Sequence, residues 1–476
     1  MKNTTYRILS EDDCAAIVEA ACKILESVGC EIRNEKAISL LKNHGCVVEG
    51  NIVHIPEALT RQSIGSAPRQ VLLYDREGNV AMKLDASSQE TFYGAGTSAV
   101  YRYDLETGER RPVVKHDIYD AIVIQDRLEN IDLTCGLGYI SDCDQKLAGV
   151  WEARLALEAT TKPFTMNCMD RWTIEAEVDL FAAASGGREQ FLSHPSVLCA
   201  CFPMSPMVHP DDALDNLIYL SELGLPINYI GTPAMGSTGP ITMAGSMALS
   251  LADSLVGLVV SQIVNPGTPF VGTCFVDHMD LRTSGNAMTS PEFERVSAAT
   301  GDLFRYIGIP SVAHMSCSDA VTFDQQAAFD IAAGVFLGEM SRVNINFFMG
   351  YLEGGMSSSL ESLVYGNEVI SYVRHANQPI EVDEDTLALE TIGEVGPGGN
   401  FLSEEHTVDH MGGAWIPKLF YRGSIVNWIE EGQHNLFDRA NSYAKELLSK
   451  GPRKRLSDDT IAQLDSIMRR IESEIA

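Results

Sequence analysis

Short apolar runs alternate with helical patterns along most of this chain. From residue 91 onward, eight apolar or β-branched runs are each followed by a segment whose apolar residues recur every three or four positions. The runs are 91–101, 131–140, 164–169, 197–202, 226–231, 269–275, 310–315 and 345–350. The helical patterns are 115–129, 146–159, 171–185, 209–223, 240–264, 291–307, 323–340 and 358–375.

Strict alternation of strands and helices predicts an α/β protein, and eight repeats predict a (β/α)8 TIM barrel. The predicted strands are apolar almost throughout, which is typical of a parallel sheet buried on both faces. The alternative is an open doubly wound sheet, which usually ends after fewer strands.

The two ends of the chain differ from this pattern. Residues 1–90 predict an N-terminal α+β extension, with helices near 10–28 and 34–44 and a hairpin that turns at Glu77-Gly78-Asn79. Residues 377–476 predict a C-terminal helical extension that packs on the barrel. We therefore expect three parts, 1–90, 91–376 and 377–476.

Composition narrows the range of partners. The 476 residues include 65 acidic and 35 basic side chains, for a net charge of −30. Binding to nucleic acid or an anionic membrane is not expected, because phosphate groups are bound by clustered Lys and Arg. The apolar run 247–264 contains Asp253 and several serines, which favours a buried helix over a membrane span.

The cysteines and the N-terminus indicate a cytoplasmic protein. The eleven cysteines are scattered and odd in number, which is typical of reduced thiols. Residues 1–29 lack the apolar core of a secretory leader.

The strand-to-helix connections are where a barrel builds its site. His and Cys residues near predicted strand ends are candidates for metal ligands, but they are spaced singly, so no metal-ligand set is predicted. His406 and His410 share a helical face but lack the Glu of a metalloprotease motif. His314 and Cys317 form a candidate dyad, which requires the strand to end by Met315 because residues three apart on a strand face opposite sides.

Aromatic residues also fall near these strand ends. A few of them converging on one mouth would form a cage for an alkylammonium group. The candidates are Tyr93, Tyr101, Tyr139, Phe202, Tyr229, Phe347 and Phe348.

Four segments, taken in order, resemble the trimethylamine methyltransferase family, which includes corrinoid-dependent methylamine methyltransferases and relatives without pyrrolysine. They are "GSTGPITMAGSMALSLADSLVGLVVSQIVNPGTP" (236–269), "DLRTSGN" (280–286), "SCSDAVTFDQQAAFD" (316–330) and "EEHTVDHMGGAWIPKLFYRG" (404–423). The resemblance implies a (β/α)8 barrel that accepts a methylated amine, binds no cofactor tightly and docks a separate cobalamin-carrying corrinoid protein.

One departure from the family bears on the substrate. In the founding methanogen enzyme pyrrolysine lies just before the stretch that matches 318–327, whereas this chain has the ordinary residues "HMSC" at 314–317. The resemblance then implies the branch that demethylates quaternary amines such as glycine betaine, proline betaine or carnitine.

The resemblance also suggests roles for individual residues. An aromatic cage is expected from Tyr93, Tyr229 and Phe348, with Tyr101 and Phe202 beside them, and donors for a carboxylate tail from Asn167, Thr232, His314 and Arg282. Arg282 has the alternative of a salt bridge to Asp277 or Asp280. His314, Cys317 and Glu353 are the candidate catalytic residues, while Asp319 and Asp324 are expected to cap and begin the next helix.

Three alternatives stay open at this point. They are a corrinoid methyltransferase for a tertiary methylamine or another methyl donor, a metal-dependent barrel hydrolase, and a non-catalytic betaine binder. A homo-oligomer is expected, with an interface near Trp415 and Trp428.

Overall fold

The structure is a computed structural model that describes residues 6–475. Residues 1–5 of the expected N-terminal extension, and the last residue of the C-terminal one, lie outside the described residues. The N-terminal part contains helices α1 (Glu11–Lys23), α2 (Glu35–Asn43) and α3 (Glu57–Ser66), and strands β1 (Cys30–Ile32), β2 (Val47–Glu49), β3 (Ile52–His54), β4 (Gln70–Tyr74) and β5 (Val80–Asp85).

Local signals explain most of this part. Ser10 caps α1 in a capping box with Asp13, and Asn34 caps α2. Strands β4 and β5 pair antiparallel, and Asp75 accepts the backbone N–H of Asn79, so the predicted hairpin turn is present. Helix α3 has no side-chain cap and was not predicted.

The central part contains the alternating elements. Its strands are β6 (Phe92–Ala95), β7 (Tyr101–Tyr103), β8 (Arg110–Pro112), β9 (Phe164–Asn167), β10 (Val197–Cys201), β11 (Val208–His209), β12 (Ile227–Tyr229), β13 (Ala234–Met235), β14 (Asp277–Asp280), β15 (Gly285–Asn286), β16 (Val312–Ala313), β17 (Ile345–Met349), β18 (Tyr351–Leu352) and β19 (Ser357–Ser358). Its helices are α4 (Lys115–Arg127), α5 (Ala148–Ala159), α6 (Arg171–Ala184), α7 (Arg188–Ser193), α8 (Asp211–Leu223), α9 (Met243–Val264), α10 (Pro291–Ile307), α11 (Gln325–Ser341) and α12 (Leu360–Ala376).

Parallel pairings link eight segments of this part into a ring. Strand β6 pairs through Gly94 with Leu133, and Thr134 pairs with β9, which continues to β10 and β12. Ile227 of β12 pairs with Phe270, Gly272 pairs with Ser311, and β16 pairs with β17. Strand β17 pairs with β6, which closes the ring, and the α/β class is confirmed.

All eight ring segments are shorter than the sequence predicts, and two of them are not regular strands. Residues 133–134 and 270–272 make single bridges instead of regular strands. The apolar runs around them continue into loops that line a cavity at one end of the ring, so an apolar run alone overestimates the length of the strand.

The N-terminal and C-terminal parts pack against the outside of the ring. Strand β1 pairs parallel with β11, so the N-terminal sheet includes a piece of the central part. The C-terminal helices are α13 (Leu389–Val395), α14 (Glu405–His410), α15 (Ile425–Glu430), α16 (Leu436–Ser449) and α17 (Asp458–Ile475). Of these, α16 contacts α4 and α12, and α17 contacts α6.

Helix α9 is the apolar segment that resembles a membrane span. Within residues 6–475 it is the one helix long and apolar enough to cross a bilayer, and 83% of its most apolar window is buried inside the fold. The prediction of a buried helix is therefore confirmed.

Gly334 lies on α11 where the helix packs against the chain just after β16, and we expect no side chain to fit there. A Cβ there would lie 1.4 Å from the backbone oxygen of Met315, so Gly334→Ala is expected to lower stability by about 2–3 kcal/mol. The matched control is Gly393→Ala in α13, where nothing lies within 4 Å and alanine favours the helix. Equal urea-unfolding midpoints for the two variants would contradict this contact.

Candidate active site

A cavity of about 750 Å³ opens at the carboxyl end of the ring. Its wall is made by residues at or just after the ends of the ring segments, as expected for parallel strands whose ends meet at one rim. The contributing segments are 97–98, 138–140, 165–169, 198–202, 228–232, 275–277, 312–314 and 347–348.

One side of the cavity is an aromatic wall. The His314 ring lies 4.4 Å from the Phe275 ring and 4.5 Å from the Phe348 ring, measured between centroids. Phe348 in turn lies 5.2 Å from Tyr351. Such faces attract a cation through their quadrupoles, and they offer little to an anion.

His314 is an uncharged member of this wall. It follows β16 directly and is 4% exposed. Burial lowers the pKa of His314 to about 3, so the imidazole is neutral at physiological pH. A neutral ring beside a bound cation adds no repulsion, and its nitrogens are available for hydrogen bonding to a substrate.

Glu152 brings a carboxyl group to the cavity wall. It lies on α5 and lines the cavity, where its Oε1 accepts the backbone N–H of Gly136 at 2.8 Å. Although its surface is partly accessible through the cavity, protein surrounds it, and burial raises the pKa of Glu152 to about 8. Glu177 is also buried. Burial, together with the charge of Glu152, raises the pKa of Glu177 well above its usual value.

Asp277 is the second carboxyl group in the wall. It begins β14, and burial raises the pKa of Asp277 to about 6. Its Oδ1 is buried and has no hydrogen-bond partner within the described chain. An unpaired buried carboxylate oxygen is costly, so this position favours a ligand that is cationic or donates a hydrogen bond.

Side chains that can donate hydrogen bonds also line the cavity. Asn167 and Thr232 line the cavity, and so does Asn228, whose Nδ2 donates to Val271 O at 2.7 Å. Lys146 lines the mouth and is exposed. These groups can donate hydrogen bonds to a carboxylate.

Five of the expected site residues are brought together here. Asn167, Phe202, Thr232, His314 and Phe348 all line the cavity. Of the further aromatic candidates, Tyr139 and Phe347 line it as well.

Tyr93 and Tyr229 lie outside the cavity wall. Both are fully buried, and the Tyr93 hydroxyl donates to Glu339 Oε2 at 3.1 Å. The Tyr229 hydroxyl lies 2.9 Å from His209 Nδ1. Residues on β6 and β12 alternate between the inside and outside of the ring, and these two tyrosines take the outer face. They are not among the residues that could cage a substrate.

Tyr101, Arg282 and Glu353 are also outside the wall, and each has a partner. The Arg110 guanidinium lies 3.6 Å from the Tyr101 ring centroid and bonds Glu353 at 2.8 Å. Arg282 is 88% exposed in its side chain and pairs with Asp280 at 2.9 Å. The salt bridge considered for Arg282 is therefore formed, and it stiffens the β14–β15 turn.

Cys317 is buried away from the cavity. Its Sγ lies 3.9 Å from Met288 O, and its side chain belongs to the apolar core. Burial, with the charges of Glu294 and Asp319, raises the pKa of the Cys317 thiol well above its usual range. A protonated buried thiol is a poor nucleophile, so the candidate dyad with His314 is not supported.

The two aspartates after Cys317 have different roles. Asp324 accepts the backbone N–H of Gln326 and caps α11 as expected. Asp319 instead accepts from the backbone N–H groups of Met288 and Thr289, so it ties the loop after β16 to the loop before α10.

Sequence reasoning missed several residues of the wall, among them Phe275, Tyr351, Glu152 and Asp277. Phe275 and Asp277 stand at the end of the predicted strand 269–275, so their position was a usable signal. Tyr351 begins the short strand β18 directly after the predicted run 345–350, so its position was also a usable signal. Glu152 lies on helix α5, and no spacing in the sequence connects it to the mouth.

Metal-ligating side chains gather elsewhere. Within residues 6–475, a single group of three has its ligand atoms within 4.8 Å of one another, and it consists of Asp385, His406 and His410. None of the three lines the cavity.

Comparisons with known proteins show which family the chain resembles. The family described as trimethylamine methyltransferase (MTTB) matches residues 1–476. The chain is 27% identical over 431 residues to the glycine betaine methyltransferase of Desulfitobacterium hafniense, covering 90% of this chain and 89% of that protein. It is 28% identical over 454 residues to the trimethylamine methyltransferase MttB of Methanosarcina barkeri, covering 94% and 92%.

Solved structures show the same fold at low identity. A hydroxylamine complex of MtmB gives a TM-score of 0.54 at 10% identity, covering 93% of this chain and 89% of that one. The monomethylamine methyltransferase MtmB of Methanosarcina barkeri gives 0.51 at 10% identity, covering 98% and 88%.

The protein is therefore a corrinoid-dependent methyltransferase, as the family match shows and as the fold and the cavity allow. The chain belongs to the trimethylamine methyltransferase family, as the resemblance implied. A hydrolase or a non-catalytic binder on the same fold is not supported.

Cys317 is expected to resist alkylation in the folded protein. Cys143 is half-buried, whereas the other ten cysteines are buried, so a short iodoacetamide pulse at pH 8 should modify Cys143 first and leave Cys317 unmodified. Peptide mass mapping gives the readout. Equal labelling rates at the two positions would show that the Cys317 thiol is open to the cavity after all.

Proposed function

We propose that this chain uses a (β/α)8 barrel to transfer a methyl group from a quaternary amine of the betaine class to the cobalt(I) centre of a separate corrinoid protein. The observation that carries the proposal is the aromatic wall of Phe275, His314 and Phe348 in the same cavity as the carboxyl groups of Glu152 and Asp277. The relative named as a glycine betaine methyltransferase supports the same substrate class.

A quaternary ammonium matches the charge and polarity of this cavity. Its methyl groups need an apolar surface. Because a quaternary ammonium has no N–H to donate, its permanent charge is stabilised by aromatic faces or by nearby carboxylates. Within the described residues neither Glu152 nor Asp277 takes part in an ion pair. A bound cation would therefore supply the positive charge that these two carboxyl groups lack as a partner.

The reaction needs little acid–base chemistry from the protein. Cobalt(I), when the partner presents it, supplies the electron pair that forms the new bond to the methyl carbon. The carbon–nitrogen bond breaks with its pair left on nitrogen, so the product is a neutral tertiary amine and no proton moves. The chain's own residues hold one methyl group toward the mouth and exclude water.

The mouth offers a surface that fits a corrinoid. Phe202, Met169 and Met356 line the cavity and are exposed at its rim, and each presents an apolar side chain. The flat corrin ring is largely apolar, and methionine side chains adapt to such irregular surfaces. We propose that the chain binds no cofactor tightly and that the corrinoid belongs to the partner protein.

Polar groups beside the aromatic wall distinguish a betaine from a simple amine. Asn167, Thr232 and the ammonium of Lys146 lie around the same cavity and would bind a carboxylate tail. The second candidate substrate is a tertiary methylamine, favoured by the relatives named as trimethylamine methyltransferases. The ordinary residues at 314–317 favour the quaternary amine.

The proposal extends to assembly and location. Exposed large apolar side chains are concentrated between residues 380 and 437, which supports a homo-oligomer. Trp415 donates to Ser371 within the chain, so its neighbours Ile416 and Met411 are better candidates for the interface than Trp415 itself. We also propose that the enzyme is cytoplasmic. The expected division of the chain into three parts, with boundaries at residues 90 and 376, stays a prediction.

The direct test mixes the pure protein with reduced free cobalamin and a panel of methylated amines. Glycine betaine, proline betaine and carnitine should produce the methylcobalamin absorption spectrum, whereas trimethylamine should not. Choline serves as the control that has the quaternary charge without a carboxylate. Turnover of trimethylamine alone would replace the betaine proposal by the tertiary-amine candidate.

Asp277→Asn is expected to weaken binding of the active betaine by about tenfold, because it removes a buried charge next to the cation. Asp280→Asn, on the same strand but paired with Arg282 outside the cavity, is the matched control. Calorimetric titration gives the affinities.

Wild-type affinity should also rise with pH between about 5 and 8. The pKa of Asp277 is raised to about 6 and that of Glu152 to about 8, so both carboxyl groups are neutral at low pH and become charged partners as pH rises. A bound cation favours the ionised forms and releases protons. An affinity that is flat across this range would contradict a role for these carboxyl groups.

A further inference from the structure

The segment between α12 and α16 contains three metal-ligating side chains that take no part in the cavity. His406 and His410 lie one turn apart on α14, and Asp385 approaches them from the loop before α13. We propose that Asp385, His406 and His410 bind a divalent transition-metal ion, with zinc preferred, which fastens this loop to α14.

The hydrogen bonds around His410 prepare one of its nitrogens for a metal. Its Nδ1 lies 2.8 Å from the backbone oxygen of His406, which accepts the ring N–H and leaves a lone pair on Nε2. This Nε2 lies 3.3 Å from Asp385 Oδ2. A backbone acceptor behind a histidine is a common arrangement for metal ligands, because it fixes the tautomer and the ring orientation.

His406 is held beside the same aspartate. Its Nε2 lies 3.1 Å from the backbone oxygen of Asp385, and its ring is stacked on that of His410 at a centroid distance of 4.1 Å. The two imidazoles and the carboxylate therefore present their donor atoms in one small region.

The distances are compatible with a zinc site after a small adjustment. One ligand atom from each side chain lies within 4.8 Å of the others. Zinc–ligand bonds of about 2.0–2.2 Å in a tetrahedron place the donors about 3.4 Å apart. The three side chains are half-buried or exposed, so rotation about their side-chain bonds can close the difference. Two histidines and one carboxylate leave one position for water, or for the carbonyl of Asp385.

The surrounding charge favours a cation at this place. Residues 378–410 contain nine acidic side chains and neither Lys nor Arg. Such a field attracts a divalent ion and raises its local concentration.

The segment has little apolar burial to hold it in place. Every residue from 378 to 418 is half-buried or exposed, so apolar burial contributes little to holding α13 and α14 in place. A metal that links two pieces of such a segment stabilises it directly, because the ligands do not converge in the unfolded chain.

A natural control exists elsewhere in the chain. His116 and Asp120 on α4 form a histidine–carboxylate pair at 3.5 Å with the same spacing of four residues. No third ligand is grouped with them among the described residues, so the pair should not hold a metal.

The test uses the untagged full-length protein, stripped with a chelator and titrated with Zn²⁺ and separately with Co²⁺. We expect one ion per chain and the strong visible absorption of a tetrahedral cobalt site. His410→Gln and Asp385→Asn should each weaken Zn²⁺ binding at least tenfold, and His116→Gln should leave it unchanged. Unchanged affinity in His410→Gln, or cobalt binding without the visible bands, would overturn the proposal.

A second measurement reports on the fastening itself. Cleavage by a glutamate-specific protease within residues 378–418 should slow when Zn²⁺ is added to the wild type, and should not change in His410→Gln. A cleavage rate that is independent of Zn²⁺ in the wild type would overturn the fastening role. Neither readout uses methyl transfer, so failure here and failure of the proposed function are distinguishable.

Discussion

Hydrogen bonding between β17 and β6, with Ile345 opposite Phe92 and Asn346 opposite Tyr93, joins the last segment of the parallel sheet to the first. Without this pairing the carboxyl ends of the strands would form a line, and residues from opposite ends of the line could not meet. With it, residues separated by more than two hundred positions share one wall. The position of every group in the cavity depends on this closure.

The interior of the ring then controls the chemistry through desolvation. Burial keeps His314 uncharged and raises the pKa of Glu152 to about 8 and that of Asp277 to about 6, so ionisation of these two carboxyl groups is less favourable than in water. A permanent cation changes this balance, because it gains aromatic contacts and makes ionisation of the nearby carboxyl groups favourable. Substrate charge, more than any single catalytic side chain, is what such a cavity selects.

The C-terminal segment follows a different principle. Burial inside the ring is extensive, whereas residues 378–418 have little apolar contact and a high density of acidic groups. Apolar burial therefore contributes little to its order, and we propose that a metal bound by His406 and His410 contributes to it. On these two proposals, acidic groups serve both parts of the chain, in the ring for an organic cation and in the C-terminal segment for a metal ion.

The sequence by itself determined the fold class and most of the element order. Hydrophobic periodicity is a local property, so eight of the nine helices of the central part and the buried nature of α9 could be predicted, whereas the short α7 was missed. Position at a strand end also sufficed to place Asn167, Phe202, Thr232, His314 and Phe348 at the mouth. The family itself followed from the ordered segments.

Only the tertiary structure decided which way the remaining side chains face. Tyr93 and Tyr229 sit on ring strands as predicted, yet their rings face outward, because alternation along a strand depends on a register that the sequence does not reveal. Glu152 reaches the cavity from helix α5 and Tyr351 from the short strand β18, so their role depends on packing between elements distant in the chain. The same holds for Asp385 and its two histidines, which are separated by 21 residues or more and meet only after folding.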